Sequence, residues 1–215
     1  MSEFTLIVAS KNYSSWSLRP YLALAHTGQP FREVVIALDE PTTISEIAKH
    51  SPSGRLPVLQ HGSLAIWDSL AICEYLAETF PEAKLWPEDK TARAVARSVV
   101  AEMHSGFSAL RRNMPMDLQA HKPGHGRAPG VAEDISRVQK LWNDCRQRFG
   151  QGGPFLFGHF TIADAFYAPV VTRFVTYEVH LDEVSRAYRD AVLALPALKT
   201  WTEAARAEPP VQRYL

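Results

Sequence analysis

The hydrophobic pattern divides the chain into two unlike parts. Phe4 to Ala9 is a short unbroken apolar run and predicts a buried strand. Leu18, Tyr21, Leu22 and Ala25 then fall at helical spacing, which predicts a helix over residues 15–27 with Gly28 as its C-terminal cap. Pro20 fits such a helix only in its first turn, so the helix is expected to begin near Ser17. Phe31–Ile36 predicts a second strand. Thr42–His50 predicts a short helix, with Ile44, Ile47 and Ala48 on one side. After the turn cluster Ser51-Pro52-Ser53-Gly54, Leu56–Gln60 and Leu64–Ile66 form a hairpin across His61-Gly62-Ser63. Asp68–Thr79 is helical again.

The order so far is βαβαββα, a mixed sheet between helices. Pro81 and Pro87 bracket the next stretch, which predicts a linker over residues 81–88. Beyond it the strand signals stop. Asp89–Asn113 reads as one long helix, with Val95, Val99, Met103, Phe107 and Leu110 along one stripe. Met114–Gly130 is a loop longer than the usual connection, hence functional or mobile. Helices are expected at Val131–Phe149, Thr161–Val179, Leu181–Leu195 and Pro196–Ala207. The layout is an α/β domain over 1–80, a linker over 81–88 and an all-helical domain over 89–215.

Composition adds mainly exclusions. A 46% hydrophobic and 21% charged chain is ordinary for a packed protein. Net charge is zero, so no field argues for nucleic acid or an anionic membrane as partner. No apolar run approaches the roughly 20 residues that span a bilayer. Met1-Ser2-Glu3-Phe4-Thr5 lacks a signal-peptide pattern, and the expected location is cytoplasmic. Cys73 and Cys145 stand far apart, which gives no disulfide framework, redox pair or metal spacing, and no metal is expected. Both read as core or flanking residues.

The candidate chemistry begins at Ser14-Ser15-Trp16-Ser17. Three hydroxyls lie at a strand-to-helix junction, where free N–H groups and the positive end of the helix dipole converge. The stretch can be a helix cap or a site for an anion. Asp68-Ser69 at another helix start is open to the same two readings. Thr161 and Asp164 have capping-box spacing, and the structural reading is preferred there. Met103, His104 and Phe107 read as a core stripe unless they wall a pocket. The basic loop His121–Arg127 reads as a solvated loop, with a lid that attracts an anionic substrate as the alternative.

Four motifs in order resemble the cytosolic glutathione S-transferases. Ser14-Ser15-Trp16-Ser17-Leu18-Arg19-Pro20-Tyr21-Leu22-Ala23-Leu24 is similar to the serine-rich first helix of the zeta, maleylacetoacetate isomerase-like, class. Arg55-Leu56-Pro57-Val58-Leu59 resembles the segment around the family's cis-proline. Asp68-Ser69 with its following apolar helix resembles the family's acid-and-serine helix start. Gly158-His159-Phe160-Thr161-Ile162-Ala163-Asp164 resembles its capped C-terminal helix. The resemblance implies a thioredoxin-like N-terminal domain, glutathione as co-substrate, no metal, and a homodimer. It implies that Ser14, with Ser15 as rival, stabilises the glutathione thiolate. Leu56 beside cis-Pro57 would pair with the cysteinyl backbone, Arg55 with a carboxylate, and Asp68 and Ser69 with the γ-glutamyl end. Tyr13, Trp16, Met103, His104 and Phe107 become candidates for the electrophile pocket. The expected activity is transferase or glutathione peroxidase, ahead of isomerase, with a non-catalytic glutathione-binding module as the rival. Two departures separate the chain from zeta enzymes: Trp16 stands where they tend to have cysteine, and Arg173 comes earlier than their substrate arginine.

Overall fold

A computed structural model describes residues 3–209 and 211. Met1-Ser2 and the limit of the helical region at 215 lie outside the described residues. The four-stranded sheet has the order β2-β1-β3-β4. Strand β1 (Phe4–Ala9) pairs in parallel with β2 (Phe31–Ile36) and antiparallel with β3 (Val58–His61), which pairs antiparallel with β4 (Leu64–Trp67). Leu6 and Val8 enter the main core, while Ile7 meets Ile36 and Val58 on the opposite face. Burial on both faces is why β1 reads as a continuous apolar run. Strand β3 starts at Val58 and not at Leu56, because Pro57 has no N–H to give the ladder.

Helix α1 spans Ser15–His26, two residues longer at its start than expected from Pro20. The Ser14 hydroxyl caps it by accepting from Ser17 N at 3.3 Å. Pro20 therefore falls in the second turn and withholds the N–H that Trp16 C=O would receive. Leu18, Leu22 and Leu24, all buried, keep the helix running through the proline. Helices α2 (Thr43–His50) and α3 (Ser69–Thr79) complete the sheet region. Of the apolar side of α2, Ile47 packs on the smaller cluster but Ile44 is 84% exposed.

The stretch predicted as a linker is packed. It forms a 3-10 turn at Pro81–Ala83, after which Leu85 and Trp86 are buried. Trp86 Nε1 donates to Glu74 at 2.9 Å, and Leu85 C=O accepts from Ile162 N at 2.9 Å.

The helical region comprises α4 (Lys90–Ser105), α5 (Ser108–Asn113), α6 (Val131–Phe149), α7 (Ile162–Thr176), α8 (Glu183–Leu193) and α9 (Pro196–Arg206). The single helix expected over Asp89–Asn113 is thus two. Gly106 closes α4, its N–H donating to Glu102 C=O at 2.8 Å, and Phe107 turns the chain at φ 54°. A Cβ on Gly106 would stand 2.7 Å from Glu102 O, so the corner needs glycine. The apolar stripe hid the break because Phe107 remains buried after the turn.

Helix α7 is buried along nearly its whole length and packs on α1, α4 and α8. It ends at Thr176, three residues before the predicted limit. Its start is the predicted capping box. Asp164 accepts from Thr161 N at 2.8 Å, Thr161 Oγ1 at 3.1 Å and Leu156 N at 3.1 Å. Among the described residues no helix is long and apolar enough to cross a membrane.

Candidate active site

A cavity of about 810 Å3 opens at the C-terminal end of β1 and gathers Tyr13, Ser14, Trp16, Arg55, Leu56, Pro57, Asp68 and Ser69 from separate segments. These are most of the residues singled out from sequence. Ser14 sits where the β1–α1 turn meets the first N–H groups of α1. Its hydroxyl donates to Ser17 Oγ at 2.8 Å, and Ser17 Oγ also accepts from Ala9 N at 3.1 Å. Ser17, fully buried, therefore ties the end of β1 to the cap. Sequence reading counted it among the hydroxyls without giving it a role. Its signal is the Ser-x-x-Ser spacing, which places it at the third helical position. Ser15 occupies the first helical position and is buried, but it does not line the cavity.

The Leu56–Pro57 peptide is cis, as the motif implied. Among the described residues, the loop hydrogen bonds leave both backbone groups of Leu56 unused, on the cavity wall. A peptide laid along this edge can pair with them as an added strand.

Asp68 caps α3, its carboxylate accepting from Leu70 N at 2.8 Å. Its backbone lies at φ 74° and ψ 133°, outside the regions that L-residues favour. Such strain costs on the order of 1–3 kcal/mol and concentrates at functional sites. The Ser69 hydroxyl is buried and makes no hydrogen bond among the described residues.

His104 lies beside this corner. Its Nε2 is 3.4 Å from Asp68 Oδ2, and its ring meets the edge of Trp16 with centroids 5.2 Å apart. Burial lowers its pKa; Asp68 opposes this, and the Arg19 and Arg111 charges reinforce it. The imidazole is therefore biased to the neutral form. Trp16 is the joint between the two regions. The Arg19 guanidinium lies 4.4 Å from its ring and that of Arg111 lies 4.8 Å from it, while Arg19 also covers Phe166 of α7 at 4.6 Å. Arg19 is buried with Nε and Nη1 unbonded among the described residues, and burial, then the nearby Arg111 and Arg173, lowers its pKa to about 9.

Of the candidate pocket residues, Tyr13 and Trp16 line the cavity, His104 lies beside it without lining it, and Met103 and Phe107 are placed elsewhere. Met103 is fully buried in the core and Phe107 nearly so, and neither lines the cavity. The α4 stripe faces α7, so its apolar residues are spent on packing. Arg173 likewise points into the core, with Nε donating to Met114 O at 2.8 Å and Nη1 to Pro169 O at 2.9 Å. Cys73 and Cys145 are free and buried; burial pushes the Cys145 thiol up to about 12 and that of Cys73 higher still, which disfavours the thiolate of both. The 114–130 loop is pinned to the end of α7, with Lys122 N donating to Thr176 O at 2.7 Å and Gly124 N to Tyr177 O at 3.4 Å. Its basic part does not reach this cavity. It borders a separate groove of about 760 Å3 beside α6.

The cavity thus joins an anion-favouring helix start, an unpaired backbone edge and an acid-plus-hydroxyl corner. The chain matches the model of the glutathione S-transferase N-terminal domain over residues 13–79 and that of the C-terminal domain over residues 128–204. It belongs to the glutathione S-transferase family. Among curated relatives, it is 29% identical to glutathione S-transferase 1 of Dianthus caryophyllus over 78% of this chain and 76% of the relative. It is 27% identical to a probable maleylacetoacetate isomerase of Caenorhabditis elegans over 73% of this chain and 72% of that one. The fold is similar to that of a glutathione transferase homologue from Burkholderia gl BGR1 with bound glutathione, with a TM-score of 0.71 at 23% identity over 96% of this chain and 100% of that one. It is also similar to a glutathione S-transferase of the Antarctic clam Laternula elliptica, with a TM-score of 0.73 at 20% identity over 96% and 95% of the two chains.

Proposed function

We propose that the chain is a glutathione transferase that holds glutathione as thiolate at Ser14 and directs it at a small electrophile. The observation that carries this reading is the convergence of Ser14, Leu56–Pro57 and Asp68–Ser69 on one cavity. A free thiol has a pKa of about 8.5, so little is ionised at neutrality. The α1 N-terminus favours the anion, and the Ser14 hydroxyl can turn from Ser17 Oγ to donate to sulfur. The thiol proton leaves to solvent, and Ser14 itself stays protonated throughout. Leu56 pairs with the cysteinyl backbone. Asp68 meets the γ-glutamyl ammonium, and Ser69 Oγ with the α3 N–H groups meets its carboxylate. Arg55, on the same wall, is available to the remaining carboxylate. Tyr13, Trp16 and His104 border the electrophile side, with Met103 and Phe107 behind them in the core.

The division at residues 81–88, the cytoplasmic location and a homodimer are parts of the same proposal. Glutathione-dependent isomerisation ranks second, supported by the relatives of that activity, with peroxidase as a side activity. Retention on immobilised glutathione together with conjugation of a generic electrophile tests the reading. Retention without turnover would favour a binding module, and no retention would sink both. Asp68→Asn is expected to raise the KM for glutathione about tenfold or more, as for loss of a charge-assisted bond, with a smaller change in kcat. Steady-state kinetics with glutathione varied decides this, and an unchanged KM would remove Asp68 from the site.

A further inference from the structure

The turn that carries Ser14 is tied to its own sheet region at Ser10 and at the Lys11 ammonium, but the backbone of Lys11-Asn12 is held from the helical region. All four backbone groups of Lys11-Asn12 are bonded there. Lys11 N donates to Glu208 Oε1 at 2.8 Å and Asn12 N to Glu208 Oε2 at 3.1 Å. Lys11 C=O accepts from Trp201 Nε1 at 3.0 Å, and Asn12 C=O from Leu118 N at 3.4 Å. The Asn12 side chain, fully buried, continues the pattern: its Nδ2 donates to Asp117 Oδ1 at 3.0 Å and its Oδ1 accepts from Gln119 N at 3.0 Å. Gln119 Nε2 in turn donates to Ala205 O at 2.7 Å and Glu208 O at 3.1 Å, which fixes the chain beyond α9. The Tyr13 hydroxyl accepts from Val211 N at 3.4 Å.

There is no slack between this anchor and Ser14. Tyr13 N and Ser14 N both donate to Ser10 O, at 3.2 and 2.9 Å, so residues 10–14 form one tight turn. A shift at Lys11-Asn12 moves the Ser14 hydroxyl. Two neighbouring N–H groups facing the same way call for an acceptor with two oxygens, which a carboxylate supplies. A simple ion pair does not explain the contact. The Lys11 ammonium is engaged elsewhere, 2.8 Å from Glu33 Oε2 and stacked on Trp201 at 5.0 Å.

We propose that Glu208 is a positioning residue, through which the segment after α9 sets the place of the Ser14 hydroxyl and so the ionisation of the bound thiol. This rests on the functional reading above. The test compares the full chain with Glu208→Gln and Glu208→Ala. It measures glutathione affinity, the pH titration of the bound thiol by ultraviolet absorbance, kcat/KM against pH, and thermal stability. Glutamine keeps the shape but opposes one N–H with its own NH2. A displaced hydroxyl is expected to lower kcat/KM about tenfold at neutral pH. It should raise the bound thiol's pKa and leave glutathione affinity within about threefold, since Leu56, Asp68 and Ser69 are untouched. Above the free thiol's pKa of about 8.5 the rate should recover, because the thiolate then forms unaided.

An unshifted titration in a folded Glu208→Gln protein overturns the inference, as does a rate loss equal at every pH. If both Glu208 variants fail to fold, Trp201→Phe carries the same measurement, since it removes the N–H bonded to Lys11 together with part of the buried ring that packs on Tyr21 and Lys11. A shift in the same direction supports the proposal, and an unshifted profile overturns it. A wild-type chain that binds no glutathione overturns the functional reading and this inference together. A normal wild type with an unchanged Glu208→Gln overturns this inference alone.

Discussion

Ser14→Ala is expected to lower kcat/KM at neutral pH by about 10²–10³-fold, the usual loss when one donor to a developing or resident anion is removed. Glutathione should still bind, because the Leu56 edge and the Asp68–Ser69 corner are unchanged. The loss should narrow as pH rises past the free thiol's pKa of about 8.5, where ionisation no longer needs the hydroxyl. The same substitution removes the acceptor of Ser17 N, which costs about 1 kcal/mol of stability as a lost helix cap. Ser17 keeps its bond to Ala9 N, so the end of β1 and the start of α1 stay joined. The variant should therefore fold. Ser15→Ala serves as the control, because Ser15 does not line the cavity. Rate–pH profiles of the two variants, with glutathione affinities and melting temperatures, check this. A Ser15→Ala protein that is folded and inactive would transfer the role to Ser15.

Asp164→Ala should act on folding and leave the chemistry alone. The carboxylate is fully buried and receives three hydrogen bonds, from Thr161 N, Thr161 Oγ1 and Leu156 N. Alanine leaves these donors without a partner in a dry core, at about 1–3 kcal/mol each. A total loss of about 3–5 kcal/mol is expected, a large part of an ordinary domain's stability. Denaturant unfolding measures it; normal stability with lost turnover would contradict the assignment.

The same group predicts a pH dependence. Burial raises its pKa from 3.8 to about 6, although the hydrogen bonds from Leu156 and Thr161 pull the other way. The folded value lies above the unfolded one, so the folded state binds the proton more tightly. This contribution to stability is full below about pH 4 and is lost as pH rises through about 6. The stability advantage of wild type over Asp164→Asn should shrink across that window.

What sequence could and could not show is clearest at particular residues. The α7 capping box was legible because a cap is local: Thr161 and Asp164 lie within one helical turn of each other. The cis Leu56–Pro57 bond was legible only through its resemblance to a family, since a lone proline is seldom cis. The start of α1 was misjudged because the proline rule is a local preference, and burial of Leu18, Leu22 and Leu24 overrode it. The break at Gly106 was hidden because the apolar stripe continues on the other side of the corner. The stripe read Met103 and Phe107 as core, where they lie; only the resemblance made them candidates for the pocket.

At the Ser14 stretch, sequence by itself determined that a strand turns into a helix among serines, which left a cap and an anion site as the two readings. These depend on backbone geometry over a few residues. Only the tertiary structure decided that Ser14 and not Ser15 faces the cavity. It also decided that Trp16 is the joint beneath two guanidiniums, and that the turn hangs from Glu208. Those contacts join residues up to 197 positions apart. No local propensity encodes such pairings, because packing of the two regions alone brings the partners within hydrogen-bonding distance.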